Sequence, residues 1–167
     1  MKATPREIRR LAFQTLYQLD ARGETDADLV ERSLEGAEGF TPAERRKAFD
    51  LAGRAFSHRK AADAAMLKLA PTWPTHRQPA VDRAILRLAY FELAIDKGRP
   101  AIVINEAIEL AKEFSTDRSP GFINGLLDKI AKAVTPDLPV GSPAVIGPAT
   151  TPDSKAPDAD VGEPPTP

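Results

Sequence analysis

Two segments decide the fold of this chain: AIVINEAIELAKEF at residues 101–114 and SPGFINGLLDK at residues 119–129. Their apolar residues recur three and four positions apart, which is typical of amphipathic helices. The helix at residues 101–114 is predicted to place Ile104, Ala107, Ile108 and Ala111 on one face, with Val103, Leu110 and Phe114 flanking it. Both segments also contain polar residues that such a helix does not need. The pattern predicts two helices that close a core, joined by a turn at residues 115–118 that faces a partner.

Helix signals continue upstream of these segments. The sequences TPRE at residues 4–7 and TPAE at residues 41–44 each combine a capping threonine, a proline at the first helical position and a glutamate that can bond back to the cap. Helices are predicted at residues 5–21, 27–35, 42–70 with a break near Ser57 and His58, 81–93, 100–114 and 119–134. No segment alternates convincingly with a period of two, so the predicted fold class is all-α.

The first helix carries two stripes on opposite sides. One stripe is predicted to face the core and contains Ile8, Leu11, Ala12, Thr15, Leu16 and Leu19. The other contains Arg6, Arg10, Phe13 and Tyr17. Two explanations of this second stripe stay open. Its aromatic residues pack beneath the following loop, or the stripe is a contact surface for nucleic acid or protein.

The composition changes after Val134. Nine of the 16 prolines lie in residues 135–167, together with five acidic residues and one lysine, a net charge of −4. Residues 1–134 are therefore at +3, against −1 for the whole chain. A segment so poor in large apolar residues cannot offset its ordering entropy. We predict one globular domain at residues 1–134 and a disordered, proline-rich acidic tail at residues 135–167.

The residues indicate no catalytic or metal chemistry. The chain has no cysteine and no phosphate-binding glycine loop, and His58 and His76 do not match a metal-ligand spacing. The pair Glu106 and Glu109 is better explained by ion pairs with lysine than by acid–base catalysis. The N-terminus lacks the apolar core of a signal peptide. We expect a cytoplasmic protein that is not an enzyme and has no cofactor.

Three segments carry a resemblance to a known family: DRAILRLAYFEL at residues 82–93, INEAIELAK at residues 104–112 and FINGLLD at residues 122–128. They resemble the C-terminal half of the NusB family of bacterial transcription antitermination factors. The resemblance extends over residues 4–134, through the connection around Trp73 and, more loosely, AFQTLY at residues 12–17. It implies an all-helical domain of two small bundles, with six to seven helices and no catalytic residues.

The resemblance also implies partners. Family members pair with NusE, a ribosomal small-subunit protein, and the pair binds boxA, a short single-stranded element of ribosomal RNA leader transcripts. The complex joins an assembly that makes RNA polymerase resist termination. Some members form homodimers through surfaces that overlap the RNA site, and the sequence leaves the oligomeric state of this chain open.

Matching this chain to the family position by position assigns its site residues. RNA contacts are expected at Lys2, Arg6, Arg9, Arg10, Gln14, Tyr17, Arg118, Phe122 and Asn124. Contacts with NusE are expected at Tyr17 and Asp82. Phe122 is explained equally well as a core residue, and Asn124 as a buried partner within its helix. Asn105 and Glu106 are interpreted as a buried brace of the helix start at Ser119.

The chain departs from the family pattern at the candidate site. Glu7 and Ile8 interrupt the N-terminal arginine run, which predicts weaker RNA affinity, whereas Arg118 replaces an acidic residue and can partly restore it. Gly121 replaces a basic residue. The acidic tail is either an inert solubilising extension or a competitor of RNA for the basic face.

Two other functions stay open. One is an RNA-binding accessory domain such as those of ribosomal RNA cytosine methyltransferases, which need a further Rossmann-like domain. The other is a helical protein-interaction adaptor without an RNA role.

Overall fold

The computed structural model describes residues 2–134, which form seven α-helices and no strand. The helices are α1 (Pro5–Arg22), α2 (Ala27–Ser33), α3 (Pro42–Ser57), α4 (Arg59–Leu69), α5 (Ala80–Ala94), α6 (Pro100–Phe114) and α7 (Ser119–Val134). The all-α prediction is confirmed, including the break near Ser57 and His58. The predicted tail at residues 135–167 lies outside the described residues. No helix within residues 2–134 combines the length and the apolar character needed to cross a membrane.

The helices pack as two small bundles that share α5. In the N-terminal bundle α1 packs most extensively on α3, and α2 contacts α1. In the C-terminal bundle α5, α6 and α7 pack on one another, and α4 contacts α5 and α7. Helix α5 also contacts α1 and α3, and its side chains Leu86, Leu88 and Phe91 are almost fully buried. It is therefore the central helix of the domain.

Two capping boxes begin α1 and α3, as the sequence predicts. Thr4 caps α1 with Glu7, and Thr41 caps α3 with Glu44. Glu44 has a second role, because its Oε1 also accepts a hydrogen bond from the backbone N–H of Ala3 at 2.8 Å. These backbone hydrogen bonds, from Thr41 and then from Ala3, lower the pKa of Glu44. One carboxylate thus starts α3 and also ties down the chain just before α1.

The backbone at Gly98 passes close to Glu92 and Val103, and this contact orients α6. The N–H of Gly98 donates to the carbonyl of Glu92 at 2.7 Å. A Cβ at Gly98 would lie 2.9 Å from Val103 Cγ2 and 3.0 Å from the Glu92 carbonyl oxygen, so only glycine fits without a shift. Val103 enters the core at this point. Helix α6 consequently buries Val103, Ala107, Leu110 and Ala111.

The buried face of α6 is shifted from the predicted one toward the flanking residues Val103 and Leu110, which are buried. Ala107 and Ala111 are buried as expected, but Ile104 and Ile108 are only half-buried.

A charged cluster joins α1, α4 and α5 where the bundles meet. Arg87 donates from Nη1 to Asp20 at 2.9 Å, and from Nε and Nη2 to the carboxylate of Asp63 at 2.9 and 2.7 Å. Burial raises the pKa of Asp20, and the positive charge of Arg87 opposes that rise. Because three helices meet on one guanidinium, this cluster fixes their relative position.

The Glu44 tether leads to a prediction about stability and pH. The folded-state pKa of Glu44 lies below its ordinary value of 4.5, so its ionised form stabilises the fold above pH 4.5 and loses that effect as the pH falls further. We expect Glu44→Gln to lower the Tm at neutral pH, with the difference from wild type closing in acid. Thermal melts between neutral and acidic pH measure this difference.

Glu7→Gln is the matched control, since Glu7 caps its own helix without reaching another segment. Glu44→Gln should lower the Tm more than Glu7→Gln does. A difference from wild type that stays constant down to low pH would contradict the role of the Glu44 charge.

Candidate nucleic-acid interface

The outward face of α1 lies alongside α6 with the two helices running in the same direction. Arg6 donates to both carboxylate oxygens of Glu106 at 3.1–3.2 Å, and these bonds raise the pKa of Arg6. Further along, Arg10 forms an ion pair with Glu113. The rings of Phe13 and Phe114 follow with centroids 5.1 Å apart. We call these three cross-helix pairs the α1–α6 ladder.

Arg9 is placed differently from its neighbours. Its Nε and Nη2 atoms lie 2.9 and 2.8 Å from Glu92 Oε1, and Nη1 lies 3.8 Å from Glu106. Burial raises the pKa of Glu92, and the hydrogen bonds from Arg9 oppose that rise. The Arg9 side chain is only 17% exposed. Arg9 therefore neutralises a buried carboxylate and pins α1 to α5, which leaves it poorly placed for the phosphate contact expected from the sequence.

The far end of the α1 stripe opens into a groove of about 370 Å³. Its lining includes Gln14 and Tyr17 of α1, together with Val81 of α5 and Phe114 of α6. Tyr17 is 40% exposed, whereas Phe13 is buried and its ring lies against that of Phe114. Ser33, Leu34 and Ala37, from the segment that follows α1, line the other side of this groove, so Phe13 and Tyr17 lie beside that segment. The structure presents one exposed ring, Tyr17, beside an amide, Gln14.

Asp82 lies at the start of α5, where it holds the turn between α6 and α7. Its Oδ1 accepts a hydrogen bond from Ser115 Oγ at 2.5 Å, and its Oδ2 accepts one from Ser119 Oγ at 2.8 Å. Asp82 is only 3% exposed. Its carboxylate therefore fixes the shape of this turn.

The brace expected from Asn105 and Glu106 was assigned to the wrong residues. Asn105 is exposed, and Glu106 is committed to the arginines of α1. The carboxylate that braces the helix start at Ser119 belongs to Asp82, because α5 and not α6 passes behind the turn.

The predicted residues of α7 form a second group. Phe122 is half-buried, and its ring lies edge-on to Trp73 with centroids 6.1 Å apart. Trp73 itself is 41% exposed, while Arg118 and Asn124 are exposed on either side of Phe122 in sequence. Helices α1 and α7 do not pack extensively on each other. The α7 group is joined by Trp73, through the contact of its ring with Phe122.

Trp73 was not singled out as a site residue from the sequence. The sequence did offer a signal, because the chain's one tryptophan lies in a proline-rich connection. A large ring in such a connection has few neighbours to cover it and is therefore a candidate contact residue. The fold supplies Phe122 as its partner.

Some cations of the candidate interface are paired with carboxylates and others are not. Arg6, Arg9 and Arg10 are all paired with carboxylates of α5 and α6. Lys2 and Arg118 are exposed and form no ion pair with any residue of the described range 2–134. Within that range no cluster of histidine and acidic side chains is arranged to hold a metal ion. The side chains of the candidate interface can therefore bind a ligand through guanidinium, amide and aromatic groups.

These features define an all-helical binding domain with an arginine- and aromatic-bearing helix face. The sequence profile of the NusB family matches residues 6–132. The chain belongs to this family of transcription antitermination factors, as its sequence resemblance indicated.

Relatives and solved structures agree with this membership. The transcription antitermination protein NusB of Roseiflexus sp. is 38% identical over 133 residues, which cover 78% of this chain and 93% of the relative. That of Geobacter sulfurreducens is 42% identical over 127 residues, covering 75% and 92%. The structure of T. maritima NusB has 33% identity and a TM-score of 0.68, covering 79% and 93%. A NusB chain crystallised with NusE and double-stranded RNA has 29% identity and a TM-score of 0.68, covering 77% and 96%.

The buried position of Asp82 gives a prediction about stability. Asp82→Ala removes the acceptor of two serine hydroxyls at the α6–α7 turn. Leaving buried polar groups unpaired costs about 1–3 kcal/mol, so we expect a loss of that size in the free energy of unfolding, measured by urea denaturation. Asp117→Ala, at an exposed position of the same turn, should change it by less than about 0.5 kcal/mol. Equal losses in the two variants would show that Asp82 does not brace the turn.

Proposed function

We propose that this protein binds boxA-type single-stranded RNA in ribosomal RNA leader transcripts together with NusE. In this role it acts in the cytoplasm, without catalysis, as part of an assembly that makes RNA polymerase resist termination. The observation that carries the proposal is the face of α1 in a NusB-family domain that exposes Arg6, Arg10 and Tyr17 and holds the half-buried Gln14 beside them. The similar NusB structure with NusE and RNA supports both partners.

The side chains of the stripe suit an unpaired RNA strand. Arg6, Arg10 and Lys2 supply cations for phosphates, and phosphate contacts position a strand without reading its sequence. Gln14 supplies an amide that can pair with a base edge, and the exposed ring of Tyr17 can stack on a base. Stacking of this kind needs a base that is free of its duplex. This is why we propose single-stranded RNA, although the similar structure contains double-stranded RNA.

The second group extends the proposed interface. Phe122 and Trp73 offer a pair of rings, and Arg118 and Asn124 offer a charge and an amide on the same helix as Phe122. For NusE, Tyr17 supplies direct contact from the groove that α1 forms with Ser33, Leu34 and Ala37. Asp82 contributes by holding the α6–α7 turn in shape, because its own carboxylate is buried.

The comparisons favour antitermination over the alternative roles. The relatives from Roseiflexus and Geobacter are named antitermination proteins, and this chain matches more than nine-tenths of the length of each. An accessory domain of a methyltransferase would match only part of its longer relatives. The paired arginines and exposed Tyr17 favour an RNA role over an adaptor that binds protein alone.

Arg10→Ala tests the proposed phosphate contact. Loss of one cation should weaken binding of a boxA-like RNA about three- to tenfold at low salt and reduce the slope of log K against log salt by roughly 0.7, the value for one phosphate of a single strand. Fluorescence anisotropy with a labelled RNA, with and without NusE, measures both quantities. Lys60→Ala, which removes an exposed lysine of α4, is the charge-matched control and should have little effect. Wild type that binds this RNA neither alone nor with NusE would refute the proposed function.

The single tryptophan provides a test of the second group. A base that stacks on Phe122 would lie within reach of Trp73, whose ring centroid is 6.1 Å from that of Phe122. We expect RNA to quench the Trp73 emission with the same midpoint as the anisotropy titration. Phe122→Leu should reduce the quenching and weaken binding about five- to tenfold, in the range for one stacked base. Saturated RNA binding without any change in emission would place Phe122 outside the interface.

A further inference from the structure

Arg6 and Arg10, the exposed arginines of the α1–α6 ladder, are already paired with carboxylates. Arg6 makes three hydrogen-bond contacts with Glu106 at 3.1–3.2 Å, and Arg10 is paired with Glu113. The arginine side chains are 57% and 48% exposed, so both remain within reach of a ligand in solution. Both glutamates belong to α6.

We propose that Glu106 and Glu113 act as built-in competitors of RNA phosphate for Arg6 and Arg10. In the free protein they occupy the guanidinium donors and neutralise the α1 face. RNA phosphates must displace them or share the guanidinium with them. The two glutamates thereby lower the affinity of the protein for RNA of any sequence. This inference rests on the proposed function and names how the same site is regulated.

The chemistry of the two anions supports competition. A carboxylate and a phosphate both present oxygen acceptors that match the planar fork of a guanidinium. Arg10 and Glu113 are both exposed, and an ion pair between exposed groups adds little to the stability of a fold, so this pair can open without unfolding the domain. Glu106 is only 14% exposed, but Arg9 remains 3.8 Å away as a second cation when Arg6 leaves it. With two arginines and two glutamates, the polar part of the ladder has no net charge. RNA binding that uses only phosphate contacts depends on net positive charge. The ladder therefore contributes little to such binding.

A different contact keeps α1 in place while the ladder opens. Arg9 stays bound to the buried carboxylate of Glu92, and Ala3 stays tied to Glu44. Release of Arg6 or Arg10 from its glutamate therefore frees a cation without freeing the helix. Gln14 and Tyr17 are not part of the ladder pairs, so a strand with suitable bases still finds its stacking and amide contacts.

Helix α6 supplies a matched control for removal of a negative charge. Glu109 lies between Glu106 and Glu113 in sequence, but it pairs with Lys112 of its own helix at 3.1 Å. Glu109→Gln therefore changes the net charge by the same amount as Glu106→Gln or Glu113→Gln while leaving both ladder arginines paired.

The test measures the affinity of wild type, Glu106→Gln, Glu113→Gln and Glu109→Gln for two labelled RNAs across a range of salt concentrations. One RNA is boxA-like and the other is a scrambled strand of the same composition. We expect Glu106→Gln and Glu113→Gln each to raise the affinity for both RNAs about threefold at low salt. In water, the repulsion between a phosphate and one carboxylate about 6 Å away changes an affinity by roughly this factor. The salt dependence should become steeper, and Glu109→Gln should have a smaller effect.

Three results would overturn the inference. If the glutamates only hold the arginines in position, Glu113→Gln will weaken RNA binding as Arg10→Ala does. If they play no part, the ladder variants will match Glu109→Gln while wild type binds RNA normally, and only this inference fails. If neither wild type nor any variant binds either RNA, the proposed function fails with it. Thermal melts confirm folding, and Glu113→Gln is the safer variant because its pair is exposed on both sides.

Discussion

The placement of α1 against α5 is the constraint on which the candidate surface depends. Arg9 is bonded to the buried Glu92 near one end of the contact, and Asp20 is bonded to Arg87 near the other. Removing one partner of a buried pair leaves an uncompensated charge, which costs far more than an exposed pair contributes. The two anchors therefore fix the rotation of α1 about its own axis. That rotation decides which side chains reach solvent and which meet α6.

The helices could be predicted well because their signals are local. A threonine, a proline and a glutamate within four residues set the start of α1 and of α3, and the structure confirms both capping boxes. The inward face of α6 was harder to predict, since isoleucine, valine and leucine serve equally well in a core. Its rotation follows from the tight passage at Gly98, which admits Val103. That passage depends on a tertiary contact that periodicity does not encode.

The candidate site could be predicted by residue type but not by role. An arginine near the N-terminus looks the same in sequence whether it meets solvent, as Arg6 does, or a buried carboxylate, as Arg9 does. Their partners Glu106 and Glu92 are 100 and 83 positions away along the chain. Asp82 was recognised as important, but its role depends on serines that only the fold brings to it. Pairings at such separations are visible only once the helices are packed.

The separation of 100 residues between Arg6 and Glu106 also orders events during synthesis. A ribosome makes α1 first, and its arginines have no α6 carboxylates to meet until most of the domain has emerged. During that interval Arg6 and Arg10 lack the carboxylates that pair with them in the folded domain. The neutral face of α1 is thus a property of the completed domain and not of the helix that carries it.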